Sequence, residues 1–169
     1  PVTVLVRMRS DRVLRRPAPI YLPGITKGRP RRHGTEFAFG DPATWGEPDI
    51  TTRTETRLYG PALIRAWDRL HPKLTARIAW ATHPGELPIL EGTVIRLEVQ
   101  RLPSGAIPKP VWLWHSATGL DSAMVDLLWQ VFLRRFDIEH TFRMLKQTLG
   151  WTAPKLRSPE QGDRWTWLL

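Results

Sequence analysis

The chain has 169 residues, 41% of them hydrophobic, and no cysteine. That length suffices for one domain with a real core, and without cysteine neither a disulfide nor a thiolate metal site can form. No apolar run approaches the roughly 18 residues of a membrane span, no basic-then-apolar signal segment opens the chain, and the net charge is +9.

Val2 to Arg9 alternates and is rich in β-branched residues, which predicts a strand. The chain opens at Pro1 directly in this run, as expected of a piece cut from a longer frame. Residues 1–33 carry nine Lys or Arg and one acid, Asp11, so nearly all the positive excess lies in the first fifth of the chain. Such a block is the electrostatic footprint of a phosphate-rich partner, nucleic acid first; plain solubilising surface and acidic lipid are the competing readings. Pro17, Pro19, Pro23, Gly24, Gly28, Pro30 and Gly34 make residues 15–35 a loop. Within it, Gly28-Arg29-Pro30, flanked by Lys27, Arg31 and Arg32, resembles an AT-hook core, which lays an extended Arg-Pro segment along a narrow minor groove. A sequence-blind phosphate contact and a solvated loop are the alternatives.

Residues 36–102 hold short apolar runs broken by Pro and Gly. Residues 35–39, 50–59, 74–82 and 92–102 all have strand character, and Thr51 to Leu58 alternates most regularly. Residues 60–72 fit either a short helix or an irregular edge strand. Asp41-Pro42 and Glu47-Pro48-Asp49 mark turns around Trp45. His33, His71, His83, His115 and His140 show no metal-ligand spacing and read as structural or surface residues. After a turn at Pro103-Ser104-Gly105, residues 110–115 read as a buried strand, with Trp112 and Trp114 on one face and Val111 and Leu113 on the other.

One long helix is expected from about Asp121 to Leu149, with start signals at Gly119, Asp121 and Ser122 and a stop at Gly150. Leu127, Leu128, Val131, Ile138, Phe142, Leu145 and Leu149 recur at helical steps and predict its packed face. On the other side, Phe132, Arg135, Arg143 and Lys146 lie at offsets of four or seven from Glu139. At 3.6 residues per turn these offsets stay within about 40° of one direction. An ordinary solvated ion-pair ladder would look the same. Beyond Gly150 a basic loop with Pro154, Lys155 and Arg157 leads to a helix start at Ser158-Pro159-Glu160. Six of the nine Trp follow Val111; most read as core, and some as candidates to stack on extruded bases.

The spacing Phe132, Arg135, Glu139, Lys146 resembles the Tyr-Arg-Glu-Lys signature of DDE-type insertion-sequence transposases, the hairpin-forming cut-and-paste group. The likeness extends over residues 105–169, which look like that family's last core strand, connector, signature helix and next helix start, and loosely over residues 1–16. Phe132 stands where the family usually has Tyr, so any hydrogen bond from that hydroxyl to a phosphate is lost. The resemblance implies an α/β fold, the C-terminal portion of an RNase H-like fold with a β-rich insertion and a long catalytic helix. It divides the chain into a core strand (1–16), a basic Pro/Gly-rich loop (17–35), the β-rich insertion (36–104) and the strand–helix part (105–169).

It also implies DNA transposition by metal-dependent phosphoryl transfer. Glu139 would be the third acidic ligand of Mg²⁺ or Mn²⁺, with both aspartates expected upstream of Pro1; Asp11 fits that role poorly and reads as a turn or ion-pair residue. Arg135, Lys146 and Phe132 would hold phosphates, Arg143 joining them by helical geometry. Lys27, Arg29, Arg31 and Arg32 are the further DNA-binding candidates. Double-stranded transposon ends are the expected partner, with a homodimer on DNA, in the bacterial cytoplasm at the nucleoid. One carboxylate builds no two-metal site, so this chain alone is expected to be inactive. A non-catalytic DNA-binding module and an inactive transposase remnant are the rivals.

Overall fold

The computed structural model describes residues 2–23, 25, 28–102, 104–150 and 155–167, and of residues 78, 136–138 and 167 the backbone alone. Lys27, Gly24, Pro103, Trp151 and Pro154 lie outside the described residues. The chain is mixed α and β and divides into two compact units, Pro1–Trp129 and Gln130–Leu169.

The first unit holds seven described strands: β1 (Leu5–Met8), β2 (Val13–Arg15), β3 (Glu36–Ala38), β4 (Ile50–Thr56), β5 (Gly60–Leu70), β6 (Gly92–Val99) and β7 (Val111–His115). Five of them form one antiparallel sheet in the order β1-β7-β6-β5-β4, and β2 pairs with β3 in a second, two-stranded sheet. Strands β4 to β7 follow one another as a meander, and β1 adds to the outer edge of β7 from Leu5↔His115 to Met8↔Trp112. The β-rich stretch and the strand leading to the long helix thus share one sheet.

The alternation at β4 leaves Thr51, Arg53 and Glu55 exposed and turns Thr52, Thr54 and Thr56 inward, as a period of two requires. Residues 60–70 are an interior strand, neither a helix nor an edge. Ala62, Ile64 and Ala66 are buried in alternation, and then the phase breaks. Between Trp67 and Leu70 the strand carries one residue more than β6, a bulge in which Arg69 takes φ 55°. The bulge brings both Trp67 and Leu70 into the core and hides the period from the sequence. Residues 74–82 do not form the expected strand; Ile78–Trp80 make a 3-10 turn. They lie in the connection between β5 and β6, which pair directly, and β5 has β4 on its other edge, so no place beside it is open.

The core is aromatic. Phe39 stacks on Trp112 at 4.4 Å, and Phe37 meets Trp67 edge-on at 5.2 Å. Both rings come from the β3 region, so the small sheet closes one face of the large one. Trp45 is part of this group, its Nε1–H donating to the Ala38 carbonyl at 2.7 Å. Gly92 is required where Trp114 crosses β6: a Cβ there would lie 2.4 Å from the His115 carbonyl oxygen and 2.5 Å from the Trp114 ring.

The helix α1 (Ser122–Arg143) starts where expected. Gly119 takes φ 68°, and the Asp121 carboxylate accepts the Met124 N–H at 2.7 Å, an N-cap. Its first two turns belong to the first unit, with Val125 and Trp129 buried. Asp126 accepts hydrogen bonds from the hydroxyls of Thr52 (2.7 Å) and Thr54 (3.0 Å) and from Trp129 Nε1–H (3.0 Å), which ties the start of α1 to β4.

In the second unit α1 runs to Arg143 and then widens into a π turn, Met144–Thr148, where the Leu149 N–H bonds to Met144 O at 3.1 Å. The last turn therefore departs from the single α-helix expected to Leu149. Gly150 stops it at φ 66°. The helix α2 (Pro159–Trp167) has Pro at its first position, as expected. The predicted packed face is not the buried one: Leu127, Val131, Phe142 and Leu149 are exposed, while Val125, Trp129 and Phe132 are buried. The Val125–Trp129–Phe132 steps of four and three outweigh the longer Leu-rich series, because bulky aromatic rings bury more area. Among the described residues no helix is long and apolar enough to cross a membrane.

Candidate nucleic-acid interface

On α1, Arg135, Glu139 and Arg143 are exposed at successive four-residue steps. Phe132 is only 6% exposed, so its ring serves as a base for the stripe rather than as a surface contact. The Arg135 guanidinium lies over that ring, 4.2 Å from its centroid. A cation held over an aromatic face loses less freedom when it meets a phosphate. Lys146 is exposed and sits in the π turn, where each residue advances less around the axis than in an α-helix. It therefore does not share the azimuth that a continuous α-helix would give it.

The basic loop is pinned at its ends. Gly34 N–H donates to the Arg16 carbonyl (2.9 Å) and Arg16 N–H to the Thr35 carbonyl (3.0 Å), so residues 17–33 leave and return at one point. A Cβ on Gly34 would lie 2.2 Å from the Pro17 carbonyl oxygen. Arg29 and Arg31 are exposed, whereas Arg32 pairs with Glu86 at 3.3 Å. Lys27, the fourth cation of this group, lies outside the described residues.

The loop ends on a histidine contact. His33 Nδ1 is 2.9 Å from Nε2 of the fully buried His71, and the Arg15 and His71 backbones exchange two hydrogen bonds (2.8 and 3.0 Å). Burial holds both imidazoles below the usual 6.5; around His33 the His71 ring and the cations Arg32, Lys73 and Arg15 push the same way. Both rings thus fit the structural role expected of them. Asp11 forms an exposed ion pair with Arg9 at 2.6 Å, the turn role expected of it.

Two clefts of about 670 Å³ each lie along β1. The first is floored by Phe39, Trp45 and Trp112, with Arg96 lying over the Trp45 ring at 4.8 Å and paired to Glu98. Burial pushes the Arg96 guanidinium pKa down against the pull of Glu98. The second is lined by cations from β1, β2 and the segment after β5. Sequence reasoning placed positive charge in residues 1–33 but missed Arg96 and Lys109, which the sheet brings to the first cleft, and Lys73, which the Arg15–His71 backbone bridge brings to the second.

Asp68, Asp126 and Thr93 were also missed. Asp68 accepts the Thr93 hydroxyl (2.8 Å) and the Gly119 N–H (3.0 Å), fixing the connector ahead of α1. For Asp126 the one available signal was the alternation that puts the Thr52 and Thr54 hydroxyls on one face of β4.

Among the described residues no three His, Asp or Glu side chains converge as a cation-binding group. Glu139 offers one carboxylate, whereas Mg²⁺ at a phosphoryl centre uses one or two carboxylates per ion and two-metal chemistry needs a set of them. The described donors therefore do not fit a Mg²⁺ or Mn²⁺ site on their own. Comparison with family models, curated proteins and solved structures gave no match.

Proposed function

We propose that the chain is the C-terminal part of a DDE-type insertion-sequence transposase of RNase H-like fold, and that α1 presents its third acid, Glu139, beside cations that hold a transposon end. What carries this reading is the arrangement on one helix. Glu139 is exposed, Arg135 and Arg143 flank it one turn to either side, and Arg135 is braced on the buried Phe132 ring. The spacing that resembles the family signature falls on these residues, and β7 feeds the helix through a short connector in the order the resemblance implies. The remaining carboxylates and their Mg²⁺ or Mn²⁺ come from outside residues 1–169 in this reading, so DNA binding is the activity expected of the chain itself. The first unit's own cationic surface favours a second reading, a DNA-binding module that makes no use of Glu139.

The test is the salt dependence of binding to a duplex oligonucleotide, read by fluorescence anisotropy. Lys146→Ala flattens log K against log salt by about one unit, the share of one phosphate contact. Glu139→Gln leaves affinity unchanged or slightly higher, since it removes a negative charge. An unchanged slope in Lys146→Ala removes that residue from the phosphate contacts, and a loss of binding in Glu139→Gln argues against the metal-ligand role.

A further inference from the structure

We infer that the clefts along β1 form one trough that seats a phosphodiester backbone, a second DNA contact surface distinct from α1 and from the Pro/Gly-rich loop. The inference rests on the DNA-binding reading above and adds a place for it.

Both clefts share Arg7, Met8 and Arg9 as lining residues; the first opens from there onto β6 and β7 and the second toward β2, so they adjoin at the end of β1 as one trough. On the side of the second cleft β1 pairs with no other described strand, since it bonds only to β7. Two acids line the trough, and each is already taken: Asp11 by Arg9 at 2.6 Å and Glu36 by Arg15. Arg7, Arg12, Lys73 and Lys109 remain, all exposed, with no ion-pair partner among the described residues. Four unneutralised cations along a concave path attract a chain of anions far more than a single one, because each contact releases a condensed counterion.

The fold fixes these cations where they are. The turn after β1 is closed by the Arg12 N–H donating to the Arg9 carbonyl (3.3 Å). The backbone exchange between Arg15 and His71 brings Pro72 and Lys73 beside β2, although they lie far along the chain. The aromatic floor is occupied: Phe39 and Trp112 are each 3% exposed and Trp45 lies under Arg96. The trough therefore offers charge to a backbone rather than open rings to bases.

The experiment compares wild type, a cleft variant (Arg7→Gln, Arg12→Gln, Lys73→Gln) and a loop variant (Arg29→Gln, Arg31→Gln) on the same oligonucleotide, as duplex and as single strand. The cleft variant flattens the duplex salt slope by about 2.7 units, 0.9 for each of three phosphates. Between 50 and 200 mM salt, wild type then loses about 40-fold more affinity than the variant. A larger change with the single strand assigns the trough to unpaired DNA, the backbone inference still holding. If the cleft variant keeps the wild-type slope while the loop variant flattens it, the trough is wrong and the DNA reading survives. If wild type binds neither form with a salt dependence, both fall. The substituted side chains are exposed, and an unchanged circular dichroism spectrum confirms that folding is intact.

Discussion

Asp126→Ala should cost this chain about 3 kcal/mol of folding stability. In the folded state the carboxylate accepts three hydrogen bonds, from Thr52, Thr54 and Trp129. A hydrogen bond to a charged group contributes about 1.5–3 kcal/mol, and a buried donor left unpaired costs about 1–3 kcal/mol. Trp129 is 2% exposed, so its indole N–H has no ready access to water. The two threonines are part-buried and can recover something from solvent, which brings the three contacts to about 1 kcal/mol each. For a chain of this size that is a Tm lower by about 6–12 °C. Burial works to raise the carboxyl pKa, but the hydrogen bonds from Thr52, Trp129 and Thr54 together hold it below the usual 3.8. A carboxyl lowered on folding stabilises above its unfolded pKa and loses that contribution as pH falls through the folded value. The variant should therefore lose part of the acid-side decline in stability below about pH 4. Urea unfolding followed by Trp fluorescence measures this, in a cycle with Thr52→Val/Thr54→Val. A loss under about 1 kcal/mol, or strict additivity in the cycle, would refute the tie between α1 and β4.

Two further outcomes follow from the same unit. Gly92→Ala places a Cβ against a backbone carbonyl and the Trp114 ring that cannot both move away, so the urea midpoint falls by the equivalent of about 2–3 kcal/mol; an unchanged midpoint contradicts the packing. His33 and His71 are lowered by burial, so their contribution is full above about pH 6.5 and declines as pH falls below it; His71→Gln should flatten that decline between pH 7.5 and pH 5, and an equally steep decline in the variant would exclude the pair as its source.

Much of the scaffold was legible in the sequence because local signals agreed with tertiary ones. Asp121 and Gly150 mark the limits of the long helical segment, and the alternation of residues 50–56 is undisturbed in β4. Where the two levels conflict, the sequence misleads. The bulge at Arg69 shifts the period of β5 by one residue, so an interior strand reads as irregular. Strand β2 is three residues long, too short to show a period, yet it carries Leu14 into the core. On α1 the Leu-rich series is longer, but Val125, Trp129 and Phe132 take the buried side. The acidic and cationic stripe was visible as spacing on a helix; the π turn under Lys146 was not, since no residue type specifies it. The trough was half visible, as a basic N-terminal block, and the cations that complete it, Lys73 and Lys109, are delivered by long-range backbone pairing: the Arg15–His71 bridge and the pairing of β7 with β1.

The central claim is that Glu139 is the third carboxylate of a DNA-cleaving site. The measurement that tests it most directly is Mg²⁺-dependent strand cleavage of transposon-end DNA by a protein carrying this chain behind its own upstream coding sequence, compared with the same protein bearing Glu139→Gln. The account predicts that the substitution abolishes cleavage while binding to the duplex persists. Full cleavage by Glu139→Gln would contradict it.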